Sequence, residues 1–118
     1  MRIAVKGRNT HVTDGLRDHV ERRFQAIGRQ VSELAELELE LSEERNPAIA
    51  EPEVAEATLH LKGVTLRARA AATDMNHAIV RCEEQLARQV KRHREQRRKR
   101  RATRAAQRAA GGVAKPAT

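Results

Sequence analysis

The chain has 118 residues, of which 34% are charged and 1% aromatic, with a formal net charge of +8. This length suits one small domain, and no apolar stretch approaches the roughly 20 residues that a membrane span requires, so a transmembrane helix is excluded. Residues 1–90 carry 13 Lys and Arg against 15 Asp and Glu, whereas residues 91–118 carry 11 against 1. A basic segment on a slightly acidic body predicts a polyanionic partner such as nucleic acid.

The first half of the chain changes its apolar period twice. Residues 2–8 alternate and predict a short strand. Thr13 is a suitable N-cap for a helix. The apolar residues of that helix recur at spacings of three and four, and they are Leu16, Val20, Phe24, Ile27 and Val31. The period then becomes two in ELELELS (36–42), which predicts a half-buried strand with its glutamates facing outward.

The second half predicts a hairpin followed by a long helix. Residues 53–61 and 64–73 alternate on either side of Lys62-Gly63, a tight turn. Asp74 is a good N-cap for the last helix, whose apolar stripe is Met75, Ile79, Cys82, Leu86 and Val90. The sequence therefore predicts an α+β fold in the order β-α-β-β-β-α. We expect a four-stranded sheet with two helices packed on one face, the second helix being long and basic.

The division of the chain follows from its apolar pattern, because the apolar stripe stops after Val90. We predict a folded domain over residues 1–98. The remaining residues, 99–118, are predicted to form a basic, disordered tail.

The sequence offers no signs of an enzyme. The five histidines are scattered without metal-ligand spacing, and no glycine-rich phosphate loop is present. Cys82 lies on the apolar stripe and is predicted to be a buried small hydrophobe. We therefore predict no catalytic residues, no metal, no cofactor and no small-molecule substrate.

The basic run KRHREQRRKRRATRAAQR at residues 91–108 contains eight Arg, two Lys and one Glu. The planar guanidinium group suits bidentate contact with phosphate. Because Phe24 is the only aromatic residue, recognition by base stacking is excluded, and charge and shape must carry the binding. The positions that we predict to contact RNA phosphates from this basic surface are Arg88, Lys91, Arg92, Arg94, Arg97, Arg98, Arg100 and Arg101.

A second charged region has the opposite sign. Residues 33–56 contain nine Glu and one Arg, without the spacing of a calcium-binding loop. We expect a solvated acidic edge that disfavours phosphate. Arg67 and Arg69 are expected to be ordinary solvated strand positions.

Five segments resemble the ribosome hibernation-promoting factors, and together they cover roughly residues 1–98. They are VKGRN (5–9), LRDHVERRF (16–24), ATLHLKG (57–63), LRARAAATDM (66–75) and LARQVKRHR (86–94). The resemblance implies the same β-α-β-β-β-α fold. It also implies binding to the small ribosomal subunit and its 16S rRNA, in the channel that mRNA and tRNA use at the decoding centre. The implied activity is repression of translation by steric occlusion of idle ribosomes, in the bacterial cytoplasm, by a protein that is monomeric off the ribosome.

The resemblance also implies particular contacts. The basic positions that match the family are Arg17 and Arg23 on the first helix and Arg88, Arg92, Arg94 and Arg98 on the last. Asn76 and Val80 depart from the family, in which an aromatic and an acidic residue are common there. Two other functions fit the residues: a general double-stranded RNA- or DNA-binding protein, and a structural ribosomal protein with a basic extension.

Overall fold

The structure is a computed structural model that describes residues 1–114. Its elements, in chain order, are β1 (Arg2–Arg8), α1 (Asp14–Gly28), β2 (Glu36–Glu43), β3 (Glu53–Leu61), β4 (Val64–Ala72) and α2 (Met75–Ala114). This order and the two-layer arrangement confirm the predicted fold. Over the described range, no helix is both long enough and apolar enough to cross a membrane.

The four strands form one mixed sheet in the order β1-β2-β3-β4. β1 and β2 are parallel, whereas β2–β3 and β3–β4 are antiparallel. A parallel pair needs a crossover connection, and α1 supplies it. The β3–β4 hairpin closes through Gly63, whose φ is +78°. Glycine adopts this left-handed conformation without a steric penalty.

The core lies between the inner face of the sheet and the two helices. The predicted inward positions of the sheet are buried in β2 and through most of β3 and β4, whereas Leu61, Val64 and Leu66 near the hairpin turn are half-buried. The predicted stripe of α2 is buried along its whole length. Phe24 is fully buried, so the one aromatic ring cannot stack on a base.

The two helices run parallel to each other, as their cross-helix contacts show. His19 Nδ1 lies 2.8 Å from Asn76 Oδ1 near the beginning of both helices. Further along, Arg94 Nη1 donates to Gln30 Oε1 at 3.4 Å, just after the end of α1. The helix N-termini therefore lie at one end of the domain, and α2 passes the C-terminus of α1 at the other.

α2 also runs in the opposite direction to β4. Arg81 Nη1 donates to the Ala71 carbonyl oxygen at 2.7 Å, and Gln89 Nε2 donates to the Arg67 carbonyl oxygen at 2.5 Å. As the chain advances along α2, its contacts move back toward the start of β4. α2 therefore leaves the body at the end of the sheet that holds the β3–β4 turn.

α2 is a single helix of 40 residues. At ~1.5 Å per residue, a helix of that size is about 60 Å long. Among residues 75–110 of this helix Val90 is the last buried residue, so the part beyond it projects from a molecule measuring 72 × 29 × 17 Å.

Within the described range α2 continues through Ala114, and the predicted disorder of residues 99–118 stays a prediction. Arg, Ala, Gln and Lys are strong helix formers, and they dominate residues 99–110. The domain boundary at residue 98 stays a prediction, and residues 115–118 lie outside the described range.

Candidate nucleic-acid interface

The outer face of the sheet carries a row of glutamates with cations beside it on β1. The parallel register sets Arg2 opposite Glu36 and Lys6 opposite Glu40, whereas Arg8 lies opposite Ser42 and reaches back to Glu40. Lys6 Nζ lies 3.4 Å from Glu40 Oε2, and Arg8 Nε lies 3.7 Å from Glu40 Oε1. Arg2 Nη1 is 4.0 Å from Glu36 Oε1.

The β3–β4 side of the same face is paired as well. Arg69 Nε lies 3.9 Å from Glu56 Oε2, and His60 Nε2 lies 3.5 Å from Glu38 Oε2. Each exposed pair adds little stability, but the pairs with Lys and Arg reduce the negative charge of this face. The expected acidic edge is thus charge-paired in part on the outer face of the sheet, whereas Glu43 and Glu53, opposite each other in register, remain an acidic pair.

Arg23 is held between the two helices. Its Nε lies 3.1 Å from Glu83 Oε1, an ion-pair contact that lacks hydrogen-bond alignment, and its Nη2 lies 3.4 Å from Glu84 Oε1. Only 12% of the Glu83 side chain is exposed. Burial raises the pKa of Glu83 above its ordinary value of 4.5, while Arg23 lowers it and Glu84 raises it further. Arg23 is therefore already occupied by two carboxylates.

Other polar side chains of the helices also join elements. Arg81 bridges the Ala71 carbonyl and Glu51 Oε1, at 2.7 and 3.2 Å, and so ties the β2–β3 loop to α2. Asn76 bonds His19 across the helix pair. These side chains hold the body together.

The cations of α2 from residue 88 onward differ from Arg23 and Arg81 in their neighbours. Among residues 1–114, no Lys or Arg in this part of α2 makes an ion pair, although Arg94 bonds the neutral Gln30. Their side chains are exposed, and Glu95 is the one acidic residue between positions 88 and 110. This set comprises Arg88, Lys91, Arg92, Arg94, Arg97, Arg98, Lys99, Arg100, Arg101, Arg104 and Arg108. We call it the α2 cation set.

The structure brings eight of the ten predicted contact residues into this set. Arg88, Lys91 and Arg94 line a shallow groove with Gln30 at the C-terminal end of α1, and the other five continue along the projecting helix. Arg17 and Arg23 lie apart from them on α1. Arg17 is exposed, whereas Arg23 is committed to the α1–α2 contact.

Four cations near this surface were not among the predicted contact residues. Arg29 is the exposed C-cap of α1, at the end of the domain where α2 emerges. Lys99, Arg104 and Arg108 lie on the continuous α2 helix. The sequence signal for Arg29 is its place directly after Gly28, because glycine is common at helix C-termini.

The described part of the chain gives no support for a catalytic or metal centre. Residues 1–114 contain no group of three His, Cys, Asp or Glu side chains that could hold a metal ion. Cys82 is buried, as predicted, and burial raises the pKa of its thiol to about 12. The thiol is neutral at physiological pH and is therefore a poor nucleophile.

Residues 3–98 match the family model described as Sigma 54 modulation protein / S30EA ribosomal protein. The chain belongs to this family. It is 30% identical over 94 residues to a ribosome hibernation promoting factor of Salmonella typhimurium, covering 80% of this chain and 94% of that protein. A factor of the same name from Acinetobacter guillouiae is 27% identical over 99 residues, covering 80% of this chain and 88% of the other. The resemblance to hibernation-promoting factors is confirmed.

Solved structures agree with this assignment. The N-terminal domain of Thermus thermophilus Protein Y superposes with a TM-score of 0.67 at 30% identity, covering 79% of this chain and 99% of that one. A ribosomal subunit interface protein from Coxiella burnetii shares the fold, with a TM-score of 0.69 at 17% identity, covering 80% of this chain and 99% of that one. The family match ends at Arg98, so the distal part of α2 lies outside the matched region.

Proposed function

We propose that this protein is a ribosome hibernation factor that binds the small ribosomal subunit through its 16S rRNA and represses translation by occupying the mRNA and tRNA channel. Family membership and relatives named as hibernation promoting factors support this proposal. The observation that carries it is the uneven pairing of cations. Many cations of the body lie beside carboxylates, while the α2 cation set has no acidic partner among the described residues.

Binding of this kind requires the protein to make or break no covalent bond. Ten like charges in eighteen residues repel one another, and a polyanion relieves that repulsion. Each phosphate that an arginine neutralises releases counterions, which makes the affinity steeply dependent on salt. Because Phe24, the one Phe, Tyr or Trp of the sequence, is buried, the contacts fall on the RNA backbone and not on unstacked bases.

The shape of the molecule supports occlusion as the mechanism. The projecting part of α2 is a single helix, which measures about 10–12 Å across with its side chains. The molecule as a whole is 29 Å wide in its second dimension. A rod as thin as one helix can enter a narrow RNA-lined channel and leave the body at the entrance. Its α2 cation set would then reach phosphates on several sides, and the channel would be closed to mRNA and tRNA for as long as the protein stays bound.

The first test is co-sedimentation with vacant small subunits, with and without prebound mRNA and tRNA. We expect binding that those ligands abolish. Binding that is indifferent to them would contradict occlusion of the channel. Competition by free double-stranded RNA separates the proposal from a general duplex-binding protein, because free duplex should compete poorly against a ribosome-specific factor. Enrichment on translating polysomes would indicate a structural ribosomal protein instead.

A further inference from the structure

The buried stripe of α2 continues beyond the body with a different chemistry. Within the body the stripe consists of Met75, Ile79, Cys82, Leu86 and Val90, all buried against the sheet or α1. The same spacing of three and four residues continues through His93, Arg97, Arg101, Arg104 and Arg108. Residues at this spacing lie on one face of a helix. One helix face is therefore apolar where it meets the sheet and arginine-rich where it is exposed.

The arginines of residues 101–110 lie on one side of the helix. Residues 101–110 contain three arginines, at 101, 104 and 108, and all three lie on the continued stripe. At about 100° per residue, Ala102, Ala106 and Ala110 lie on the other side of the helix. This segment is thus not a uniformly basic rod.

The direction of this face follows from the continuity of α2, a single uninterrupted helix. Since Val90 faces the core, the arginines that share its face point to the side of the helix on which the sheet lies, beyond the end of the sheet. Lys62 is exposed at the β3–β4 turn, at the same end of the sheet. The helix face and this end of the sheet bound a corner.

We propose that Arg101, Arg104 and Arg108 form a second phosphate-binding face that seats an RNA backbone in this corner. The proposal rests on the proposed function but concerns residues outside the family match, which ends at Arg98. The three side chains span about 10 Å along the helix axis and so can reach more than one phosphate. The segment has no interleaved large apolar side chains, which a membrane-surface helix would need.

The decisive experiment moves charge around the helix without changing composition. The variant Arg104→Ala, Ala106→Arg, Arg108→Ala, Ala110→Arg shifts two arginines by about 200° each. Net charge, residue content and helix propensity stay the same. It is compared with wild type and with the simple deletion Arg104→Ala, Arg108→Ala. Affinity for vacant small subunits is measured over a salt series, and circular dichroism checks that helicity is retained.

We expect both variants to bind more weakly and to lose about 1.4–1.8 units of the slope of log K against log salt, because two phosphate contacts are removed. A relocated variant that binds like wild type would overturn the inference, since charge density and not a helix face would then hold the RNA. A deletion variant that binds like wild type would overturn it too. Wild-type protein that fails to bind subunits would instead contradict the proposed function, so the two failures are distinguishable.

Discussion

Arg23 and the cations of α2 have the same side-chain chemistry but different neighbours, and the neighbours decide their roles. Arg23 lies against Glu83 and Glu84, so using it to bind a phosphate would leave a buried carboxylate without its cation. Arg97 gives up no such contact when it meets a phosphate. Arg23, which the resemblance implies as an rRNA contact, is therefore better explained as a positioning residue for α2.

Replacing Arg23 with Gln should lower the free energy of unfolding by about 1–3 kcal/mol, because Glu83 would remain buried without its counterion. Urea denaturation at neutral pH measures the change. Arg22→Gln is the matched control, because Arg22 is not part of an ion pair among the described residues and bonds only a backbone carbonyl. Its loss should change the free energy by no more than about 0.5 kcal/mol. Equal effects at the two positions would contradict the role assigned to Arg23.

The raised pKa of Glu83 predicts how stability varies with pH. Because the folded state holds this proton more tightly than the unfolded state, the contribution of Glu83 is fully present below its ordinary pKa of 4.5. It is lost as the pH rises through the raised value. Glu83→Gln stays neutral, so the stability of this variant relative to wild type should increase as the pH is raised from about 4 to 7.

Denaturation midpoints of the two proteins over this pH range provide the measurement. Burial, Glu43 and Asp74 also raise the pKa of Glu53, but this group is present in both proteins and cancels in the comparison. In the Glu83→Gln variant Arg23 still pairs with Glu84, so the contact between α1 and α2 is not abolished. A stability difference that does not vary with pH would argue against ionisation of Glu83 as the cause.

At the scale of elements, the alternating and helical periods were enough to predict every strand and helix of the fold. The Thr13 and Asp74 caps were correct because capping depends on local backbone geometry, and both side chains accept the expected backbone N–H bonds. The parallel pairing of β1 with β2 was not predicted. Alternation shows which face a residue occupies, whereas the neighbouring strand and its register depend on the whole sheet.

The candidate interface was predictable only in part, for the same reason. The density of arginines after residue 88 is a property of the sequence, so the α2 cation set could be found without the structure. The pairing of Arg23 and the ion pairs on the outer face of the sheet could not be found from the sequence, because each involves residues far apart in the chain. Glu83 gave no signal either, since it is adjacent in sequence to the apolar stripe and becomes buried only when α1 packs on α2.

Disrupting the projecting part of α2 should leave the thermal stability of the body nearly unchanged. Ala102→Pro removes a backbone donor and places the proline ring against the Arg98 carbonyl, which breaks or kinks a helix interior at a cost of about 3 kcal/mol. Because that segment packs against nothing in the described body, the melting temperature should hardly change. Helicity should fall, and affinity for small subunits should fall with it.

Far-UV circular dichroism, thermal melting and subunit binding test this prediction together. Ala102→Gln is the control, since Gln favours helices and leaves the backbone bond intact. A large drop in melting temperature in the proline variant would mean that the distal helix contributes to the folded core. Unchanged binding would mean that the segment need not be helical to act.

For the molecule as a whole, the separation of charge orients the approach to RNA. The outer sheet face is charge-paired, and the body carries slightly more acidic than basic residues. Unpaired positive charge is concentrated at one end of a molecule that is 72 Å long. A polyanion is attracted to that end first, and this attraction should weaken as salt screens it.

Two variants with the same net charge distinguish local from overall electrostatics. Replacing Arg97, Arg98, Arg100 and Arg101 with Ala removes four unpaired cations of α2. Replacing Arg2, Lys6, Arg8 and Arg69 with Ala removes four cations that pair with glutamates on the sheet. The first variant should bind small subunits more weakly and lose about 2.8–3.6 units of salt slope, with little change in melting temperature. The second should retain most of the affinity and slope of wild type. Equal losses in the two variants would show that net charge alone, and not the projecting helix, governs binding.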